Sequence, residues 1–213
     1  MALVVRQATE HDAPLLAWAM LAAGRGHRPV GWYDIALGLP EAQCLEVLAR
    51  LALTDLRSWW HHSNFLVAQD GDDPAGTLCA FGSAEGYAAS EAALAEATWP
   101  MGWVQEDLEA VWARGAYIFS STVTVDDDLW TIENVAVRPG WRNRGVAGLL
   151  LEHALARGRA AGFGQAQISF LIGNEPAERA YTRAGFQFAQ ERRSSELETA
   201  VGAPGLRRFV RAL

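Results

Sequence analysis

An α/β fold with a mixed sheet is predicted from three features of the sequence. Strand pairs joined by a turn signal come early, and strand–helix–strand alternation comes late. Half of the 213 residues are hydrophobic and a fifth are charged, the balance of an ordinary globular chain. That length suits one domain spanning residues 1–213.

Residues 3–8 (LVVRQA) read as a short strand rich in β-branched side chains. Thr9-Glu10-His11-Asp12 then offers capping groups and Pro14 suits a first turn. A helix follows to about Ala23 and ends at Gly24 and Gly26. A second helix opens near Pro40, where Cys44, Leu48, Leu51 or Ala52, Leu56 and Trp59 repeat at helical spacing down to His61. His61 and His62 are neighbours there, a poor metal pair on a helix but well placed to face its negative end.

Residues 64–69 (NFLVAQ) and 75–83 (AGTLCAFGS) flank the turn signal Asp70-Gly71-Asp72-Asp73-Pro74, predicting a hairpin. Residues 88–114 turn rich in Ala, Glu and Leu and predict two helices broken at Pro100 and Gly102. Tyr117–Val125 has strand composition, Asp126-Asp127-Asp128 reads as a solvated turn, and Leu129–Val137 is another strand. After the break at Arg138-Pro139-Gly140, a helix is expected from about Asn143 to Ala161. A strand at Gln165–Ile172, a helix at Glu175–Ala184, and closing strands at Phe186–Arg192 and Leu206–Ala212 complete the chain.

The charge is unevenly placed. The net charge is −7, and no lysine is present. Residues 1–130 hold 6 Arg against 18 acids, whereas residues 131–213 hold 12 Arg against 7. Either this is uneven solvated surface, or the C-terminal part receives an anion and the N-terminal part attracts a cation. An acidic chain without a basic tract argues against a nucleic-acid partner. No run reaches the ~18 apolar residues of a membrane span. The apolar stretch Ala13–Ala23 follows acidic rather than basic residues, which points to a cytoplasmic protein. Cys44 and Cys79 lack metal-ligand spacing and read as small buried hydrophobes, so no metal is expected.

The chemistry concentrates where the strand ending Val135-Ala136-Val137 runs into Arg142-Asn143-Arg144-Gly145-Val146-Ala147-Gly148 and a helix. A helix N-terminus leaves backbone N–H groups unpaired and presents the positive end of the dipole. Gly145 and Ala147 clear bulk there, and Arg142 and Arg144 add charge, so the turn suits a phosphate. An ordinary strand-to-helix turn is the other reading of the same residues. Neither a Walker loop nor a dinucleotide fingerprint is present.

Arg142-Asn143-Arg144-Gly145-Val146-Ala147 resembles the pyrophosphate-loop pattern [R/Q]-x-x-G-x-[G/A] of the GNAT (GCN5-related) N-acetyltransferase superfamily. About 30 residues on, Asn174, Ala177, Tyr181, Gly185 and Phe186 match that family's N-x-x-A-x-x-x-Y-x-x-x-G-F. The resemblance is firm over 129–192, looser over 1–83, and finds no counterpart for 85–125. It implies a mostly antiparallel mixed sheet with a splayed central strand pair, helices on both faces, and a helical insertion at about 85–115.

The resemblance also implies roles. Acetyl-CoA would be the co-substrate, with main-chain groups of Val135 and Val137 along its pantetheine arm and the amides of Arg144 to Ala147 on its pyrophosphate. Ala136, Arg142, Asn143, Gly148, Asn174, Ala177 and Tyr181 would complete that site. Tyr181 would protonate the departing thiolate, a reasonable task for a phenol of pKa ≈ 10. Glu133 is the candidate base, read as alternating with Val135 and Val137 along the strand. His153, about three turns into the helix, reads as structural. The acceptor would be a primary amine of a cationic small molecule, with Trp18, Trp32, Tyr33, Trp99 and Trp103 as candidate pocket walls. A protein or peptide acceptor and a non-catalytic acyl-CoA-binding module are the alternatives. The fold is compatible with a monomer or a homodimer.

Overall fold

The computed structural model describes residues 3–122 and 128–213. Among them, β1 (Val4–Gln7), β2 (Phe65–Asp70), β3 (Asp73–Gly82), β4 (Trp130–Val137), β5 (Gln165–Leu171), β6 (Gln187–Arg193) and β7 (Gly205–Ala212) form one sheet. The strand order is β1-β2-β3-β4-β5-β7-β6. Every neighbouring pair is antiparallel except β4 and β5. Mixed, mostly antiparallel and open, the sheet is as the family resemblance implies.

Alternation along the strands gives the sheet two apolar faces. Phe65, Val67, Cys79 and Phe81 turn to one face, against α1 (Ala13–Arg25) and α3 (Glu41–Leu51). Leu66, Ala68, Leu78, Ala80 and Ile132 turn to the other, under α7 (Val146–Ala160) and α8 (Glu175–Arg183). Both cysteines are free and buried, as expected of small hydrophobes. No helix among the described residues is long and apolar enough to cross a membrane.

Local chemistry overrides the sequence pattern in several places. The second helix stops at Leu51 rather than running to His61. Thr54 Oγ1 caps the Leu51 and Leu56 carbonyls, and the Glu96 carboxylate takes the amides of Asp55 and Leu56. His61 therefore faces no helix end; it caps a single 3₁₀ turn and stacks on His62, ring centroids 4.1 Å apart. A short helix not anticipated, α2 (Trp32–Leu37), begins where Asp34 reaches back to the Gly31 amide at 2.9 Å.

The helical segment after β3 begins at Ser83, two residues earlier than expected. It comprises three helices rather than the two expected, α4 (Ser83–Ala88), α5 (Ser90–Thr98) and α6 (Gln105–Gly115), with the break at Pro100 and Gly102 as predicted. Residues 117–121, expected as strand, belong instead to the 3₁₀ helix Ala116–Ser121. Thr122 caps that helix, while residues 123–125 of the expected strand and Asp126-Asp127 of the expected turn lie outside the described residues. The closing loop carries a further helix, α9 (Ser195–Val201), capped by the Ser194 hydroxyl.

Candidate active site

Two irregularities in β4 open the sheet. First, β4 pairs with β5 only at Trp130–Ala166, Thr131–Gln167 and Ile132–Ile168, although both strands run further. The strands part beyond that point, as the resemblance implied. Second, β4 carries an extra residue relative to β3, whose Thr77 faces Ala136 while Cys79 faces Glu133. This is a β-bulge, and it centres on Asn134, whose φ of 52° a short polar side chain tolerates.

The bulge corrects one expectation. Simple alternation would put Glu133, Val135 and Val137 on the same face. Instead Glu133 pairs with Cys79 and points to the α1 side, whereas Val135 and Val137 pack on the α7 side. The carboxylate and the strand edge are thereby assigned to different walls.

A cleft of about 1640 Å³ runs through this opening. At one end it is floored by Arg142, Asn143, Gly145, Val146, Ala147 and Gly148. The first helical hydrogen bond of α7 is Leu149 N–H to Gly145 carbonyl, so the amides ahead of it have no intrahelical acceptor. A side chain at Gly148 or Gly145 would meet nothing within 4 Å, so the loop is an open cradle. Gly145 holds a φ of 80°, a conformation that favours glycine. Arg144 does not line the cleft; its guanidinium lies over Trp141, 5.2 Å from the ring centroid.

Along the middle, Val135, Ala136 and Val137 face Ser169, Phe170 and Leu171 across the parted strands. Asn174 caps α8 by accepting from Ala177 N–H at 3.3 Å, and both residues line the cleft. Tyr181 lies one turn further, 6% exposed, its ring edge-on to Phe170 at 5.4 Å. Burial pushes its hydroxyl well above the ordinary range, and the hydroxyl has no hydrogen-bond partner among the described residues.

At the far end Glu133 enters a chamber of aromatic rings. Burial raises its carboxyl from 4.5 to about 7, opposed by a hydrogen bond that the Tyr87 hydroxyl donates to Oε1. Tyr87 reaches it because Gly86 has no side chain; a Cβ there would strike the Phe81 ring. Beside it, the buried Asn134 Nδ2 lies near the Tyr33 hydroxyl but has no partner within hydrogen-bond distance among the described residues. It is a donor awaiting an acceptor, which fits a site built to take a polar ligand.

Trp18, Trp32 and Tyr33 line the chamber as expected, but Trp99 and Trp103 do not; Trp99 is 58% exposed on the outside. The sequence reading passed over Trp59, Trp60, Tyr87 and Trp112, which do line it. The pair Trp59-Trp60 was the available signal, obscured by the helix assigned there. His153 is exposed on α7, away from the cleft. Glu133 and Glu152 are the only carboxylates lining the cleft among the described residues.

Residues 31–186 match the model of the acetyltransferase (GNAT) family. Over 58 residues the chain is 40% identical to streptothricin acetyltransferase of Streptomyces lavendulae. That stretch is 27% of this chain and 31% of the relative, so the chain matches under a third of that protein's length. An N-acetyltransferase from Staphylococcus aureus Mu50 superposes with a TM-score of 0.69 at 18% identity, covering 98% of this chain and 100% of that one. Aminoglycoside acetyltransferase AAC(6')-Ib in complex with coenzyme A gives 0.54 at 15% identity, over 99% and 95% of the two chains. At these identities the two structures establish likeness of fold.

Proposed function

The chain belongs to the acetyltransferase (GNAT) family, and from that premise we propose that it moves the acetyl group of acetyl-CoA to the primary amine of a cationic small molecule. The observation that carries this reading is one continuous cleft joining the open N-terminus of α7 to the Glu133 carboxylate, with Tyr181 between. Its residues fit the co-substrate. The α7 amides, with Arg142 beside them, suit a pyrophosphate, and the β4 edge freed by the splay suits an amide-bearing arm.

Acetyl-CoA supplies a thioester-activated acetyl group; the chain's own residues manage the protons. An alkyl ammonium must lose a proton before its nitrogen can form the new C–N bond. Glu133, with a carboxyl near 7, is poised to accept that proton at neutral pH. As the C–S bond breaks, Tyr181 donates its proton to sulfur, and the second proton that nitrogen sheds on becoming the amide is returned to the phenol through solvent. Its raised pKa keeps it protonated throughout the working range. Both cysteines are buried, and burial raises their thiols, which argues for direct transfer over an acyl-cysteine.

Tyr181→Phe is expected to lower kcat by roughly 10²-fold while leaving acetyl-CoA affinity unchanged. Steady-state coenzyme A release and a calorimetric titration of the variant read the two effects separately. Unchanged turnover would remove Tyr181 from the role of acid. The acceptor class is tested by coenzyme A release across a panel of small amines and short peptides. Release driven by peptides and not by small amines would overturn the small-molecule reading.

A further inference from the structure

Building on the acetyl-transfer reading, we propose that the acceptor is a monoamine: one positive charge at the end of an apolar body, taken along an arc of rings whose inner end is Glu133. The arc is continuous. Trp112 and Trp32 have centroids 6.3 Å apart, and Trp32 meets Tyr33 edge-on at 5.2 Å. The Tyr33 hydroxyl accepts from Trp60 Nε1 at 2.8 Å. Trp60 then meets Trp59 at 4.8 Å, Trp59 meets Tyr87 at 5.8 Å, and the Tyr87 hydroxyl donates to Glu133. All six rings line the cleft.

This arrangement sorts charge from apolar surface along one direction. An ammonium beside Glu133 gains a charge-assisted hydrogen bond, and the remainder of the molecule covers ring faces and leaves water. A second ammonium placed along the arc would lose its hydration against rings with no carboxylate among the described residues to pair it, and the attraction of rings for a cation repays only part of that loss. No described carboxylate of residues 1–130 lines the cleft. Glu152, the other lining carboxylate, stands on α7 beside the phosphate cradle. The Trp60 indole spends its one donor on the Tyr33 hydroxyl, so Trp60 offers a ligand only its ring.

The test compares 2-phenylethylamine, hexylamine and 1,4-diaminobutane as acceptors at pH 8, by coenzyme A release with the N-acetyl product identified by mass spectrometry. Both monoamines are expected to exceed the diamine in kcat/KM by about 100-fold. Trp112→Ala, at the end of the arc remote from Glu133, should raise KM for 2-phenylethylamine about tenfold without changing acetyl-CoA affinity. Trp112→Leu keeps the position apolar and serves if the alanine variant does not fold. A diamine preferred over both monoamines, or a monoamine KM indifferent to both variants, overturns the proposal. Bound acetyl-CoA with no turnover of either monoamine also overturns it. Failure to bind acetyl-CoA at all overturns the acetyl-transfer reading instead.

Discussion

Replacing Glu133 by Gln is expected to lower kcat by roughly 10²- to 10⁴-fold and to erase the acidic limb of the pH profile. In the unaltered protein Glu133 is protonated below about 7 and ionised above it. Only the ionised form accepts a proton, so kcat/KM should rise with pH through about 7. The Gln variant keeps an oxygen for the Tyr87 hydroxyl and so preserves the local packing. A limb that survives the substitution would assign the proton transfer to another group.

The same substitution should stabilise the protein. The folded state holds the Glu133 proton to about 7, whereas an unfolded chain releases it near 4.5. Stability from this group is therefore present below 4.5 and lost as pH rises toward 7. The loss is at most about 3.4 kcal/mol. Glu133→Gln should melt above the unaltered protein at pH 8, and the two should converge at pH 4. Thermal unfolding at both pH values reads this exchange of stability for function directly.

Gly145→Glu is expected to weaken acetyl-CoA binding by at least about 100-fold, near 2.7 kcal/mol. Steric room is not at issue, because a Cβ at Gly145 meets nothing within 4 Å. The added carboxylate would stand at the α7 N-terminus, where it repels an anion and competes for the same amides. Gly145→Asn separates charge from backbone strain, since asparagine tolerates the positive φ of 80°. The Asn variant should bind within a few-fold of the original. If the Glu variant also retained its affinity, the pyrophosphate would have to lie elsewhere.

Elements with strong local signals were legible. The β2–β3 hairpin follows from its Asp-Gly turn, α7 from an apolar run bounded by glycines, and α8 from its Asn174 cap, Pro176 in the first turn and Gly185 beyond its end. The motif residues Asn174, Ala177 and Tyr181 indeed share one helix and one cleft. What was lost depended on distant partners. Leu56 and Trp59 keep helical spacing, yet the Glu96 carboxylate, 40 residues away, takes the Leu56 amide. Tyr117, Ile118 and Phe119 have strand composition, but Ser120 and Ser121 hydroxyls turn back to carbonyls three residues earlier.

The bulge at Asn134 was the most consequential miss. One inserted residue decides which wall Glu133 joins, and no pattern of period two announces it. Tyr87 was missed for a similar reason. Its importance rests on Gly86 allowing a close approach to Phe81, and that contact cannot be read from neighbours in sequence.

Calorimetric titration of the purified protein with acetyl-CoA tests the central claim most directly. A one-to-one isotherm with a dissociation constant near micromolar, about −8 kcal/mol, is the expected result. It would place the co-substrate on this chain and make the amine comparison the next step. No heat at several temperatures would contradict the account, leaving the α7 loop an ordinary turn and the cleft without its acetyl donor.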